Sequence, residues 1–170
     1  MQNERAGMNI VLWIAQVLSG IVWSMTGLGK IMFYQADLWH QAVQQVPWFS
    51  AIPQGLMVFI GACEFLGGIG LILPAMTGVK PKLTPFAAMG LTTIMILAAG
   101  FHIVRGEYGF VTINVVLGGM TAFIAYGRLV MRPNAPASFS ALRVITGVAV
   151  LAALAFVGFA PAWYRLMHLH

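Results

Sequence analysis

Charge is what this chain is short of. Only 8% of its 170 residues are charged, and four residues in all are acidic. A soluble domain carries about 25% charged residues, so a surface made from this composition cannot be kept in water. Cysteine is almost missing as well. Cys63 stands alone inside an apolar run, which excludes an internal disulfide and a CxxC redox pair. Any electron transfer would therefore rest on a partner or a bound cofactor. No phosphate loop and no nucleophile–base pairing can be found, so catalysis by the chain alone is the least favoured reading. His40, His102, His168 and His170 show no paired spacing within one apolar run, which argues against a metal site.

What is abundant is apolar length. Hydrophobic residues make up 60% of the chain, and the mean hydropathy is +0.87. Five runs, about residues 9–31, 54–73, 84–104, 111–130 and 142–160, can each cross roughly 30 Å of hydrocarbon as a helix at about 1.5 Å per residue. Prolines 53, 74, 81, 85, 133 and 136 fall between these runs or at their ends. The first run is too long for a signal-peptide core and ends in no cleavage pattern, so it reads as a retained helix. With no internal repeat and no linker, residues 1–170 are expected to form one all-α membrane domain, a four-helix core plus a fifth transmembrane helix.

The formal charge of +5 does not point to nucleic acid. Lys and Arg sit singly or in pairs at the borders of apolar runs, where they act as orientation signals. One side collects Arg5, Lys80, Lys82, Arg128, Arg132 and Arg143, and the other Lys30, Arg105 and Arg165. That bias implies an inner-membrane protein with a cytoplasmic N-terminus and its C-terminus outside. The longest connection, residues 34–53, alternates in helical register. Leu38, Trp39, Ala42, Val43 and Val46 lie on one face, with Asp37, His40, Gln41, Gln44 and Gln45 on the other. This pattern predicts a short interfacial helix ended by Pro47, with a floating loop anchored by Trp39, Trp48 and Phe49 as the plainer alternative and a lid over a cavity as the sharper one.

Polar residues inside the runs also fall in register. The stripes are Gln16, Gly20, Trp23, Gly27, Lys30; Met57, Gly61, Glu64, Gly68, Leu71; Leu91, Met95, Ala98, His102, Arg105; and Asn114, Gly118, Thr121, Ala125, Arg128. Polar groups in lipid turn toward the bundle interior, and small residues let helices approach closely, so the stripes predict inward faces. Glu64, near mid-span, is the leading candidate for a proton or ligand site. A lone carboxylate in hydrocarbon is costly, and Lys30, His102 and Arg105 are the cations that could accompany it. Asn114 joins them near the same end, with Trp23 and Phe101 as apolar walls. The competing reading is an ion pair that only fixes packing.

The same residues carry a resemblance. Gly27-Leu28-Gly29-Lys30 closing the first run resembles the GxxK-type ending of the DoxX-like family of membrane proteins. Residues 61–71, Gly-Ala-Cys-Glu-Phe-Leu-Gly-Gly-Ile-Gly-Leu, are similar to its G-x-x-E-x-x-G-G-x-x-L signature. The resemblance covers roughly residues 8–130 and implies a four-helix membrane bundle, with Lys30 and Glu64 at recurrent polar positions and Gly61, Gly67 and Gly68 as close-packing sites. It also implies a link to membrane redox assemblies such as a thiosulfate:quinone oxidoreductase. The leading expectation is thus an accessory subunit of a quinone-linked redox complex. Nothing is held covalently, a quinone or a lipid is the candidate ligand, and the partners are membrane lipid and other membrane subunits or further copies of the chain. A small-solute or proton carrier, and a structural membrane subunit without a ligand, are the alternatives.

Overall fold

The computed structural model describes residues 2–134, with side chains from residue 6 onward. The expected fifth span at 142–160, together with Arg143, Arg165, His168 and His170, lies outside the described residues. Within them the chain is helical: α1 (Gln2–Ile31), α2 (Ala36–Gln45), α3 (Gln54–Thr77), α4 (Leu83–Val104) and α5 (Tyr108–Tyr126). No strand occurs among the described residues. Four stretches among the described residues are long and apolar enough to cross a membrane: Ala6–Tyr34, Gln54–Thr77, Leu83–Val104 and Tyr108–Met131.

Local chemistry sets the helix ends. Val46 precedes Pro47 and is extended (φ −126°, ψ 94°), which stops α2 after Gln45. Gly78 takes a left-handed φ of 70° and closes α3, its N–H donating to the Pro74 carbonyl. Here the sequence-based boundary needs correcting: α3 runs through Pro74 to Thr77 instead of ending before the proline. The Thr77 hydroxyl donates to the Leu73 carbonyl, and Thr77 Oγ1 accepts from the Val79 N–H. Those bonds hold the last turn that the proline would otherwise loosen.

The four long helices pack antiparallel in the order α1, α3, α4, α5, with a lighter closure of α5 onto α1. Their buried residues follow the four stripes closely. Gln16, Gly20, Trp23 and Gly27 are buried on α1, and all five stripe positions are buried on α3 and on the α5 segment. On α4, Leu91, Met95 and His102 are buried, while Arg105 at the helix end is exposed. Trp23, Leu71, Leu91, Met95 and Ile124 form the central core. The opposite faces carry Ile14, Leu66, Leu97 and Val116, all exposed as a lipid-facing surface requires.

Close approach of α1 and α3 depends on missing side chains. A Cβ on Gly61 would stand 2.6 Å from Lys30 Cβ and 2.8 Å from the Gly27 carbonyl oxygen. One on Gly68 would meet the Ser24 backbone nitrogen at 2.6 Å. Gly67 instead faces α4, where a Cβ would come within 2.8 Å of Leu91 Cγ.

Candidate functional site

Antiparallel packing brings the Lys30 end of α1 to the middle of α3. The Lys30 ammonium donates to Glu64 Oε1 at 2.5 Å. The Glu64 side chain is 1% exposed and that of Lys30 23%. Glu64 Oε2 is buried without a hydrogen-bond partner among the described residues. Gly61 and Gly27 let the backbones of α1 and α3 approach closely here, which sets Lys30 Cβ over Gly61.

His102 and Arg105 do not join it. Gly106 has a left-handed φ of 73°, a conformation glycine adopts without penalty. The turn it makes carries Glu107 back onto the end of α4. His102 Nδ1 lies 2.6 Å from Glu107 Oε2, and Arg105 Nε donates to Glu107 Oε1 at 2.9 Å. The single polar pocket expected around Glu64 is therefore two clusters, one joining α1 to α3 and one closing the α4–α5 connection. Glu107 was the residue missing from the sequence reading. Its signal was local: five residues after a histidine and two after an arginine, across a glycine. Partial desolvation raises the Glu107 carboxyl, but hydrogen bonds from His102 and Arg105 and their nearby charges outweigh it and hold it below the ordinary value of 4.5.

The connection between α1 and α3 lies across this end of the bundle. On α2, Leu38, Trp39, Ala42 and Val43 are half-buried, and Asp37, His40, Gln41, Gln44 and Gln45 are exposed. Phe49 is buried, stacked on Trp39 with ring centroids 5.9 Å apart and edge-on to Phe33 at 5.5 Å. Trp48 continues the chain of rings to His102 at 5.0 Å and Phe101 at 6.2 Å. Phe110 stacks on the imidazole at 4.9 Å and lies edge-on to Trp48 at 5.9 Å. The segment is thus an aromatic cap anchored on the His102–Glu107 pair. Phe101 belongs to this cap, with the Arg105 guanidinium 5.3 Å from its ring centroid. Trp23, 2% exposed, belongs to the core instead, so the two expected pocket walls are in different places.

Asn114 takes a third position. It is buried, and its side-chain Nδ2 has no acceptor among the described residues. The residue lines a cavity of about 240 Å³ between α4 and α5, whose other walls include Met95, Ile96, Ala99, Val115 and Gly118. Ile96 and Val115 are exposed on the outer surface of the bundle, so this groove opens on the lipid-facing side. At Gly118 the two helices approach closely: a Cβ there would touch Met95 Cβ at 3.0 Å. No group of three or more His, Cys, Asp or Glu side chains suited to a metal ion is found among the described residues.

A family model described as the DoxX-like family matches residues 14–124. The chain belongs to the DoxX-like family. The match runs from the middle of α1 through nearly all of α5 and so takes in Lys30, Glu64, His102, Glu107 and Asn114 together. No curated protein and no solved structure matches this DoxX-like chain.

Proposed function

We propose that this DoxX-like protein is a non-catalytic membrane subunit of a quinone-linked redox assembly, holding a lipophilic carbonyl compound in the α4–α5 groove. The observation that carries the reading is Asn114. A carboxamide donor buried without an acceptor is costly, and an apolar groove beside it suits a ring or chain whose carbonyl oxygen accepts from Nδ2. His102 lies one helical turn beyond the groove residue Ala99 on α4, and its imidazole is paired with the Glu107 carboxylate. That favours a quinone over a simple lipid ester, because quinone redox chemistry is coupled to protons. The redox half of the proposal rests on the family resemblance. Glu64, paired with Lys30, is better read as a packing residue than as the ligand site.

On this reading the His102 end faces the outside and the N-terminus the cytoplasm of an inner membrane. Arg128 is buried rather than in a loop, so it leaves the orientation count, as does Lys30 in its pair with Glu64. Five basic residues then stand against two, still in favour of a cytoplasmic N-terminus.

The test is purification in mild detergent followed by extraction and quantification of bound quinone. Replacing Asn114 by Leu removes one neutral hydrogen bond, a loss of roughly 2- to 13-fold in affinity. Quinone retained equally by wild type and N114L, or absent from both, would reject the proposal.

A further inference from the structure

The opposite end of the bundle holds a buried cation whose hydrogen-bond acceptors are all neutral. Arg128 is 3% exposed. Its Nε donates to Gln16 Oε1, and its Nη1 donates to Asn9 Oδ1 at 2.7 Å and to the Arg132 carbonyl at 3.3 Å. Gln16 is fixed in turn by donating from Nε2 to the Leu71 carbonyl at 2.9 Å. The Trp13 ring lies with its centroid 5.3 Å from the guanidinium carbon. Among the described residues, every group that accepts from the guanidinium is uncharged. After Tyr126 the backbone widens into a π turn, with the Arg132 N–H donating to the Gly127 carbonyl at 2.7 Å, and this turns the Arg132 carbonyl toward Arg128.

Among the described residues, two buried donors in and just after this turn lack acceptors: Arg128 Nη2 and, six residues on, Asn134 Nδ2. Both can only donate in hydrogen bonds. A buried charge needs a counter-charge to be stable, and the chain offers few. Its acidic residues are Glu4, Asp37, Glu64 and Glu107, with none from residue 135 to 170. Glu64 and Glu107 are engaged elsewhere, and Asp37 lies on α2 at the other end. Around Arg128 the same end presents the exposed Lys80 and Lys82 and the half-buried Arg132.

We infer that Arg128, with Asn134, forms an oxyanion site for a phosphate group, filled by the headgroup of an anionic phospholipid. A guanidinium presents its donors in a fork suited to phosphate oxygens. The position, at the end of a spanning segment among basic residues, is the depth at which lipid phosphates lie. The proposal stands independently of the α4–α5 groove.

The test is native mass spectrometry of the full chain, exchanged from vesicles of phosphatidylcholine alone or with one-fifth phosphatidylglycerol. Thermal unfolding with and without millimolar inorganic phosphate runs in parallel. Wild type should retain phosphatidylglycerol over phosphatidylcholine, and Arg128→Gln should lower that preference at least about tenfold. Asn134→Leu, which leaves the guanidinium in place, should lower it by a smaller factor and serves if R128Q does not fold. Stabilisation by inorganic phosphate equal to that by the lipid would support the oxyanion site but assign it to free phosphate. Equal retention of both lipids by wild type, without stabilisation by phosphate, would overturn the inference. So would a strong stability coupling between Glu4→Gln and R128Q, which would place the counter-charge within the chain.

Discussion

Removing one partner of the Lys30–Glu64 pair should cost more from the lysine side than from the glutamate side. Lys30→Met leaves the Glu64 carboxylate, 1% exposed, with neither oxygen hydrogen-bonded. Stranding a buried charge in this way costs about 3–5 kcal/mol. Glu64→Gln strands the ammonium instead, but Lys30 keeps 23% exposure and its flexible stem can carry the charge toward the interface. The loss is then close to one charge-assisted hydrogen bond, about 1.5–3 kcal/mol. Lys30→Met combined with Glu64→Leu removes both charges and should cost less than the sum of the single changes. Buried pairs replaced by apolar residues are often close to neutral. The cycle should therefore show a coupling of about 2 kcal/mol or more. Reversible unfolding in mixed detergent micelles, followed by tryptophan fluorescence, measures all four proteins. Single-variant losses that are equal, and that add within about 0.5 kcal/mol in the double variant, would refute the picture of a desolvated pair.

Glycine substitutions should separate packing from open space: Gly68→Ala meets the Ser24 backbone nitrogen at 2.6 Å and should cost about 1–3 kcal/mol. Gly119→Ala, with nothing within 4 Å, should be neutral or gain up to about 1 kcal/mol in the same unfolding assay. Gly119→Phe should fill the α4–α5 groove and reduce copurifying quinone while the unfolding midpoint holds, since Gly119 lines that groove. The Glu107 carboxyl is held below its ordinary value, so its contribution is fully present above about pH 4.5 and is lost as pH falls through the lowered folded-state value. Glu107→Gln should flatten this acid limb as read from Trp48 fluorescence, and an unchanged limb would contradict the His102–Glu107 assignment. Phe49→Ala should cost up to about 3–5 kcal/mol locally, seen as faster hydrogen exchange confined to residues 36–51.

Much of the bundle could be read without coordinates. A helix in lipid must turn its costly polar groups and its small residues the same way, so the Gln16–Lys30, Met57–Leu71 and Asn114–Arg128 stripes marked the inward faces directly. The amphipathic α2 was readable for the same reason, because one face meets water and the other the bundle end. The boundary at Pro74 was misjudged because a proline within four residues of a helix end costs little once Thr77 and Gly78 close the last turn.

The sequence by itself determined that this chain spans a membrane, how many of the described helices do so, and which side of each faces inward. Those are properties of one helix against one solvent, and periodicity carries them. Tertiary structure alone decided which charge meets which. Glu64 had three cations in its register, and only the order and rotation of α1, α3 and α4 gave it to Lys30. His102 and Arg105 were left to Glu107, and Arg128 was left among uncharged acceptors at the far end. Pairing of that kind depends on distances between helices, and no spacing along a single helix encodes it.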